Sequence, residues 1–128
     1  MTRIVYLNGE YLPADEAKVS IFDRGYIFGD GVYEVVPVFE GYVVDKAYFL
    51  ERLGRSLSQI RLDWPCSKQA YLDVMSELVN RNNLHEGVVY SQVTRGVAER
   101  DFPFPTNTAP GFMAFSSQMD LLNNPAAT

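Results

Sequence analysis

Apolar and polar positions follow two different periods along this chain, and the changes of period divide it into elements. Ile4 to Leu7 and Tyr11-Leu12 are short apolar runs around Asn8-Gly9, the pair best suited to a tight hairpin turn. Pro13 to Lys18 is a polar connector, and Val19 to Phe22 leads into a stretch of glycines and aromatics. From Val32 to Phe39, β-branched and aromatic residues predict a strand. Pro37 lacks an amide donor, which puts that position at solvent, a bulge or a sheet edge. Glu40-Gly41 reads as a second turn, with Tyr42-Val43-Val44 as the returning strand.

The period then changes. Phe49, Leu50, Leu53, Leu57 and Ile60 recur every three or four residues and predict a helix from Lys46 to Ile60, with Asp45 as its N-cap, ended by Arg61-Leu62-Asp63-Trp64-Pro65 because proline restricts the residue before it. A second helix is predicted over Lys68 to Asn82, capped by Ser67, with Tyr71, Leu72, Met75, Leu78 and Val79 as its apolar stripe. Val88 to Thr94 reads as a strand carrying Val89, Ser91 and Val93 on one face and Tyr90, Gln92 and Thr94 on the other. Arg95 to Pro110 is a loop holding three prolines, and Gly111 to Ser116 is a last strand. From Met119 the chain turns polar and small, as a linker does. Hairpin, strands, two helices and strands in that order predict an α+β domain, a mainly antiparallel sheet with two helices packed on one face.

Composition narrows the functional classes. At 128 residues with 47% hydrophobic and 13% aromatic content, the chain suffices for one folded domain with a modest core. A net charge of −5, with no lysine or arginine run, argues against nucleic acid. The absence of a long apolar run argues against a membrane span, so the expected location is the cytoplasm. One cysteine, Cys66, and one histidine, His85, leave no disulfide and no metal-ligand spacing. Cys66, in a Trp-Pro-Cys-Ser connector, reads as a structural thiol.

Candidate chemistry concentrates around Phe22-Asp23-Arg24-Gly25-Tyr26-Ile27-Phe28-Gly29-Asp30-Gly31-Val32-Tyr33-Glu34. Its three glycines among aromatics imply tightly bent backbone beside packed rings. Their spacing fits neither a dinucleotide fingerprint nor a P-loop. Tyr33, at the opening of a strand, is either a substrate-facing hydroxyl or a core tyrosine with a satisfied OH. Arg52, between core positions of the first helix, presents a planar fork suited to phosphate oxygens; the alternative is a solvated or salt-bridged arginine. Arg100 lies in a proline-stiffened loop and either projects toward a partner or pairs locally with Glu99 or Asp101.

Phe22-Asp23-Arg24-Gly25 followed by Phe28-Gly29-Asp30-Gly31-Val32-Tyr33-Glu34 closely resembles the fold-type IV (class IV) pyridoxal-phosphate enzymes: D-amino-acid transaminases, branched-chain transaminases and aminodeoxychorismate lyases. The resemblance covers the smaller N-terminal domain of that family. It implies a domain over residues 1–118, the start of an interdomain linker over 119–128, and a larger C-terminal domain that this chain does not include. It further implies the cofactor pyridoxal 5′-phosphate, anchored by Arg52 in Leu50-Glu51-Arg52-Leu53, with Tyr33 contacting the substrate carboxylate. In the D-amino-acid transaminases a similar loop crosses a homodimer interface and offers Arg-x-His to the neighbour's substrate. Here Arg100 matches the arginine and Phe102 replaces the histidine. The branched-chain enzymes' Tyr-x-Arg is Tyr90-Ser91-Gln92 here.

The implied reaction of the intact protein moves an amino group between an amino acid, of D type, and a 2-oxo acid. The lysine that holds the cofactor covalently belongs to the family's C-terminal domain. Lys18, Lys46 and Lys68 read as surface residues, so the chain contains no catalytic residue of its own and is expected to be inactive alone. The alternatives are a lyase or branched-chain aminotransferase of the same family, and a non-catalytic binding or assembly module.

Overall fold

A computed structural model describes residues 3–105 and 108–122. Its elements are β1 (Ile4–Leu7), β2 (Glu10–Pro13), α1 (Arg24–Phe28), β3 (Gly31–Phe39), β4 (Tyr42–Val43), α2 (Lys46–Gln59), α3 (Lys68–Arg81), β5 (Gly87–Thr94) and β6 (Gly111–Gln118). The strands form one six-stranded sheet in the order β2-β1-β6-β5-β3-β4. Every pairing is antiparallel, so the α+β expectation is met. Both tight turns form as their sequences require, with positive φ at Asn8 and Gly9 and again at Glu40 and Gly41. No helix among the described residues is long and apolar enough to cross a membrane.

Strand alternation decides the two faces of the sheet. Val36, Val38, Val89, Val93, Phe112 and Ala114 are buried on one face, under the Phe49, Leu53 and Leu57 stripe of α2 and the Tyr71, Met75 and Leu78 stripe of α3. Each such aliphatic side chain contributes about 2 kcal/mol of burial. Tyr71 is fully buried, stacks on Phe112 with centroids 4.4 Å apart, and donates its hydroxyl to Ser91 Oγ at 2.8 Å. That bond satisfies Ser91, a polar group that the strand alternation places in the core beside Val89 and Val93. Among the described residues neither α2 nor α3 covers the opposite face, and Tyr33, Tyr90 and Phe115 stack across β3, β5 and β6 there, with Arg3 over Phe115.

The helix ends differ from the sequence reading in two places. Asp45 occupies the N-cap of α2 with a left-handed φ of 57° and makes no side-chain cap; only its carbonyl takes the first helical bond, from the Phe49 amide. At the other end Pro65 is not what stops α2. Arg61 adopts φ 54°, the Leu62 amide donates to Leu57 O and the Arg61 amide to Ser58 O. This is a Schellman closure, completed ahead of the proline. Ser67 caps α3 as expected, accepting from the Ala70 amide at 3.1 Å. The Met119 and Leu121 amides are held by Glu86, so the first part of the expected linker is tied to the domain. Its remainder, 123–128, lies outside the described residues.

Candidate active site

The glycine-aromatic stretch is more ordered than a bend. Asp23 is buried and accepts from the Gly25 amide at 2.8 Å, capping the short helix α1, and Gly29 ends it with φ 65°. Gly25 sits inside α1 because space is lacking, since a Cβ there would run into Thr94 Cγ2 at the end of β5. Gly25→Ala is therefore expected to cost about 1–3 kcal/mol through overpacking, read as a lower urea midpoint. Thr94→Ser, which removes that methyl, should recover part of the loss in a double-mutant cycle. Strictly additive costs would place the strain elsewhere.

Around this stretch the structure places each candidate residue. Tyr33 is 64% exposed on the open face and stacks on Tyr90 at 5.6 Å, which excludes the core-tyrosine alternative. With Gly25, Gly29, Gly31, Val32 and Gln92 it lines a groove of about 170 Å³. Arg52 reaches back from α2 to β3, where Nε donates to Glu34 Oε1 at 2.5 Å and Nη2 lies equally close. Glu34 thus raises the already high pKa of the guanidinium, leaving it charged at any physiological pH. The Glu34 side chain is 7% exposed against 38% for Arg52. One oxygen of Glu34 takes two of five guanidinium donors and the Tyr48 side chain engages the group as well, its ring 5.4 Å away, which still leaves donors for a second acceptor. A phosphate fits that donor set.

Arg100 lies over the rings of Phe28 and Phe102, at 5.5 and 5.1 Å from their centroids. The three residues do not converge on one point. Strand alternation sends Tyr33 to the open face and Glu34, with Arg52, to the helix face; Arg100 lies over Phe28, the last residue of α1. What they share is the segment Phe28 to Glu34.

Sequence reasoning missed the groups that hold this segment in place. Asp30 Oδ2 accepts from Arg24 Nε at 2.8 Å and Arg95 Nε at 2.9 Å, all three side chains at most 8% exposed. Burial alone would raise the Asp30 carboxyl, yet the guanidinium groups of Arg95 and Arg24 outweigh it and hold it below its usual range. Arg95 also donates to the Ile60 and Arg61 carbonyls, at the negative end of α2. Asp30, Arg24 and Arg95 carried no signal in the sequence; Glu34 did, because a carboxylate sharing a strand face with Val36 and Val38 needs a cationic partner, here the partly exposed Arg52. Tyr90 donates its hydroxyl to Gln92 Oε1 at 2.9 Å, and burial followed by the neighbouring Tyr33 pushes its phenol up. Cys66 is half-buried, and burial pushes its thiol up. Lys18, Lys46 and Lys68 are all exposed.

The family model for class IV amino-transferases matches residues 31–127, beginning at the glycine that opens β3. The chain belongs to the class IV aminotransferases. Among its relatives, the D-alanine aminotransferase of Staphylococcus haemolyticus is 44% identical over 117 residues, covering 91% of this chain and 42% of that protein. A putative branched-chain-amino-acid aminotransferase of Methanocaldococcus jannaschii is 37% identical over 95 residues, covering 74% of this chain and 33% of that protein. The fold matches a branched-chain amino acid aminotransferase solved with pyridoxamine 5′-phosphate, at a TM-score of 0.87 and 18% identity, over 99% of this chain and 43% of that one. It also matches the branched-chain aminotransferase of the archaeon Thermoproteus uzoniensis, solved with norvaline, at a TM-score of 0.82 and 20% identity, over 94% of this chain and 42% of that one. This class IV chain therefore spans less than half the length of the relatives it matches.

Proposed function

We propose that this chain supplies part of the cofactor and substrate site of a pyridoxal-phosphate-dependent transaminase that acts on D-amino acids and 2-oxo acids. The observation that carries this reading is the Arg52 guanidinium, still offering donors and fixed by Glu34, the strand neighbour of the exposed Tyr33. Pyridoxal phosphate, when bound, supplies the electron sink for transfer of the amino group. Arg52 binds its phosphate by charge-assisted hydrogen bonds. Tyr33 offers a hydroxyl at the groove, for a substrate carboxylate. Arg100 supplies the cation that the carboxylate needs, because Tyr90 and Gln92, the residues where branched-chain relatives place Tyr-x-Arg, carry no positive charge.

The D-alanine aminotransferase relatives favour D-amino acids as the substrate class. The intact protein is a homodimer in this reading, with Arg100 completing the neighbour's site and the open sheet face turned toward the rest of the protein. Residues 1–118 form the domain and 119–128 begin the linker, in the cytoplasm. Phe102 in place of the histidine leaves the carboxylate with one clamp residue, which favours looser discrimination among substrates.

The test compares D- with L-amino acid donors in the intact protein, and mixes an Arg52→Ala subunit with an Arg100→Ala subunit. D donors should react faster, and the mixture should exceed either mutant alone, because one site of the heterodimer carries neither lesion. The 128-residue chain by itself should show no turnover and no saturable cofactor absorbance, its three lysines all being exposed. Preference for L donors would overturn the D-amino-acid reading. Demonstrated heterodimers with no recovered activity would return Arg100 to the surface of its own subunit.

A further inference from the structure

The Asp30 cluster holds more than α1 and β3 in place. Arg24 Nη1 donates to the Asp101 carbonyl at 2.6 Å, and Nη2 lies 3.5 Å from the Phe102 carbonyl. These are the two residues after Arg100. Phe104 lies over the Arg95 guanidinium at 3.8 Å and over Arg24 at 5.9 Å. Phe102 packs on Phe28 with centroids 5.7 Å apart. The proline-rich loop thus lies down on a pair of buried guanidinium groups, whose charges one carboxylate only half compensates. The remaining positive charge is met by loop carbonyls, by the C-terminal carbonyls of α2 and by the faces of Phe28 and Phe104. Pro103 and Pro105 stiffen the loop, and the grip on the Asp101 and Phe102 carbonyls fixes where it lies.

We infer that Arg24 is a positioning residue for substrate binding: held by Asp30, it grips the Asp101 and Phe102 carbonyls and so sets where the loop presents Arg100. This role rests on the reading of Arg100 as the substrate-carboxylate cation. A lysine at position 24 keeps the charge beside Asp30 but has one head, so it cannot hold Asp30 and the loop carbonyls in the fork geometry at once.

In the intact, cofactor-loaded protein, Arg24→Lys should raise KM for the amino-acid substrate about tenfold, the scale of one misplaced charge-assisted contact. Bound-cofactor absorbance should stay unchanged and kcat should stay within about twofold. Trypsin should also cleave after Arg100 several times faster, read by mass, with cleavage elsewhere unchanged. Phe104→Ala removes the loop's second anchor, the ring over Arg95, while leaving the ion pairs of Asp30 with Arg24 and Arg95 in place, and it should shift both readouts in the same direction even where Arg24→Lys folds poorly. Arg24→Lys combined with Arg100→Ala should be no worse in KM than Arg100→Ala alone, since the clasp acts only through Arg100. Unchanged KM and unchanged cleavage in both single variants, with Arg100→Ala raising KM, would overturn the clasp alone. Unchanged KM in Arg100→Ala would overturn the assignment of Arg100 and the role of Arg24 in binding, even if cleavage still quickens.

Discussion

Arg52→Ala, made in the intact protein, should release on dialysis a cofactor that the unaltered protein retains. A hydrogen-bonded contact between a guanidinium and phosphate contributes about 1.5–3 kcal/mol, so retention should fall on the order of ten- to a hundredfold. The structure adds a second consequence. Glu34, 7% exposed, would lose the partner that neutralises it. Stranding a buried charge is destabilising, moderated here because Arg52 itself is partly solvated. The two effects are separable. Glu34→Gln with Arg52→Ala removes the stranded charge, so the urea midpoint should recover toward the unaltered value while cofactor is still lost. If retention recovers along with the midpoint, Arg52 acts on the fold and not on the phosphate.

The second large effect is expected at Asp30. Asn in its place leaves Arg24 and Arg95 buried without an anion, a change that typically costs about 3–5 kcal/mol. The low end is expected because Arg24 keeps the Asp101 carbonyl, and Arg95 keeps those of Ile60 and Arg61. Against a total stability of roughly 5–15 kcal/mol this is a large share. The pH dependence has a fixed sign. The folded carboxyl titrates below its unfolded value, so its contribution is complete above the ordinary aspartate range and is lost as pH falls through the folded pKa. The difference in stability between the two proteins should therefore be constant from neutral pH down to about 5 and shrink below roughly pH 4. Urea unfolding at several pH values measures it. A difference that stayed constant down to about pH 2, or one below about 0.5 kcal/mol at neutral pH, would mean that Asp30 does not hold the two guanidinium groups together.

The element plan was legible because it is written in local periodicity. The three- and four-residue spacing of Phe49, Leu53 and Leu57, and the alternation of Val89, Ser91 and Val93, each follow from backbone geometry that neighbouring residues alone impose. Asn8-Gly9 and Glu40-Gly41 similarly mark turns whose positive φ is a local preference. The motif from Phe22 to Glu34 marked the family, and the position of Arg52 between core residues marked a cation held near the sheet.

What the sequence could not determine involves residues far apart in the chain. Arg61 ends α2 in a left-handed conformation, and the α2 carboxyl-terminal carbonyls meet Arg95, which lies 34 residues beyond Arg61. Gly25 is glycine because of Thr94, a contact with no local signature. Whether Tyr33 faced core or solvent depended on which sheet face the helices covered, and alternation alone leaves both options open. Arg24, Asp30 and Arg95 read as ordinary charges until folding buries them together, since a lone buried charge is costly and only three-dimensional pairing makes it tolerable. Local periods thus determined the elements and the motif; the tertiary structure alone decided which charges are buried, what each holds, and where the loop that carries Arg100 is tied down.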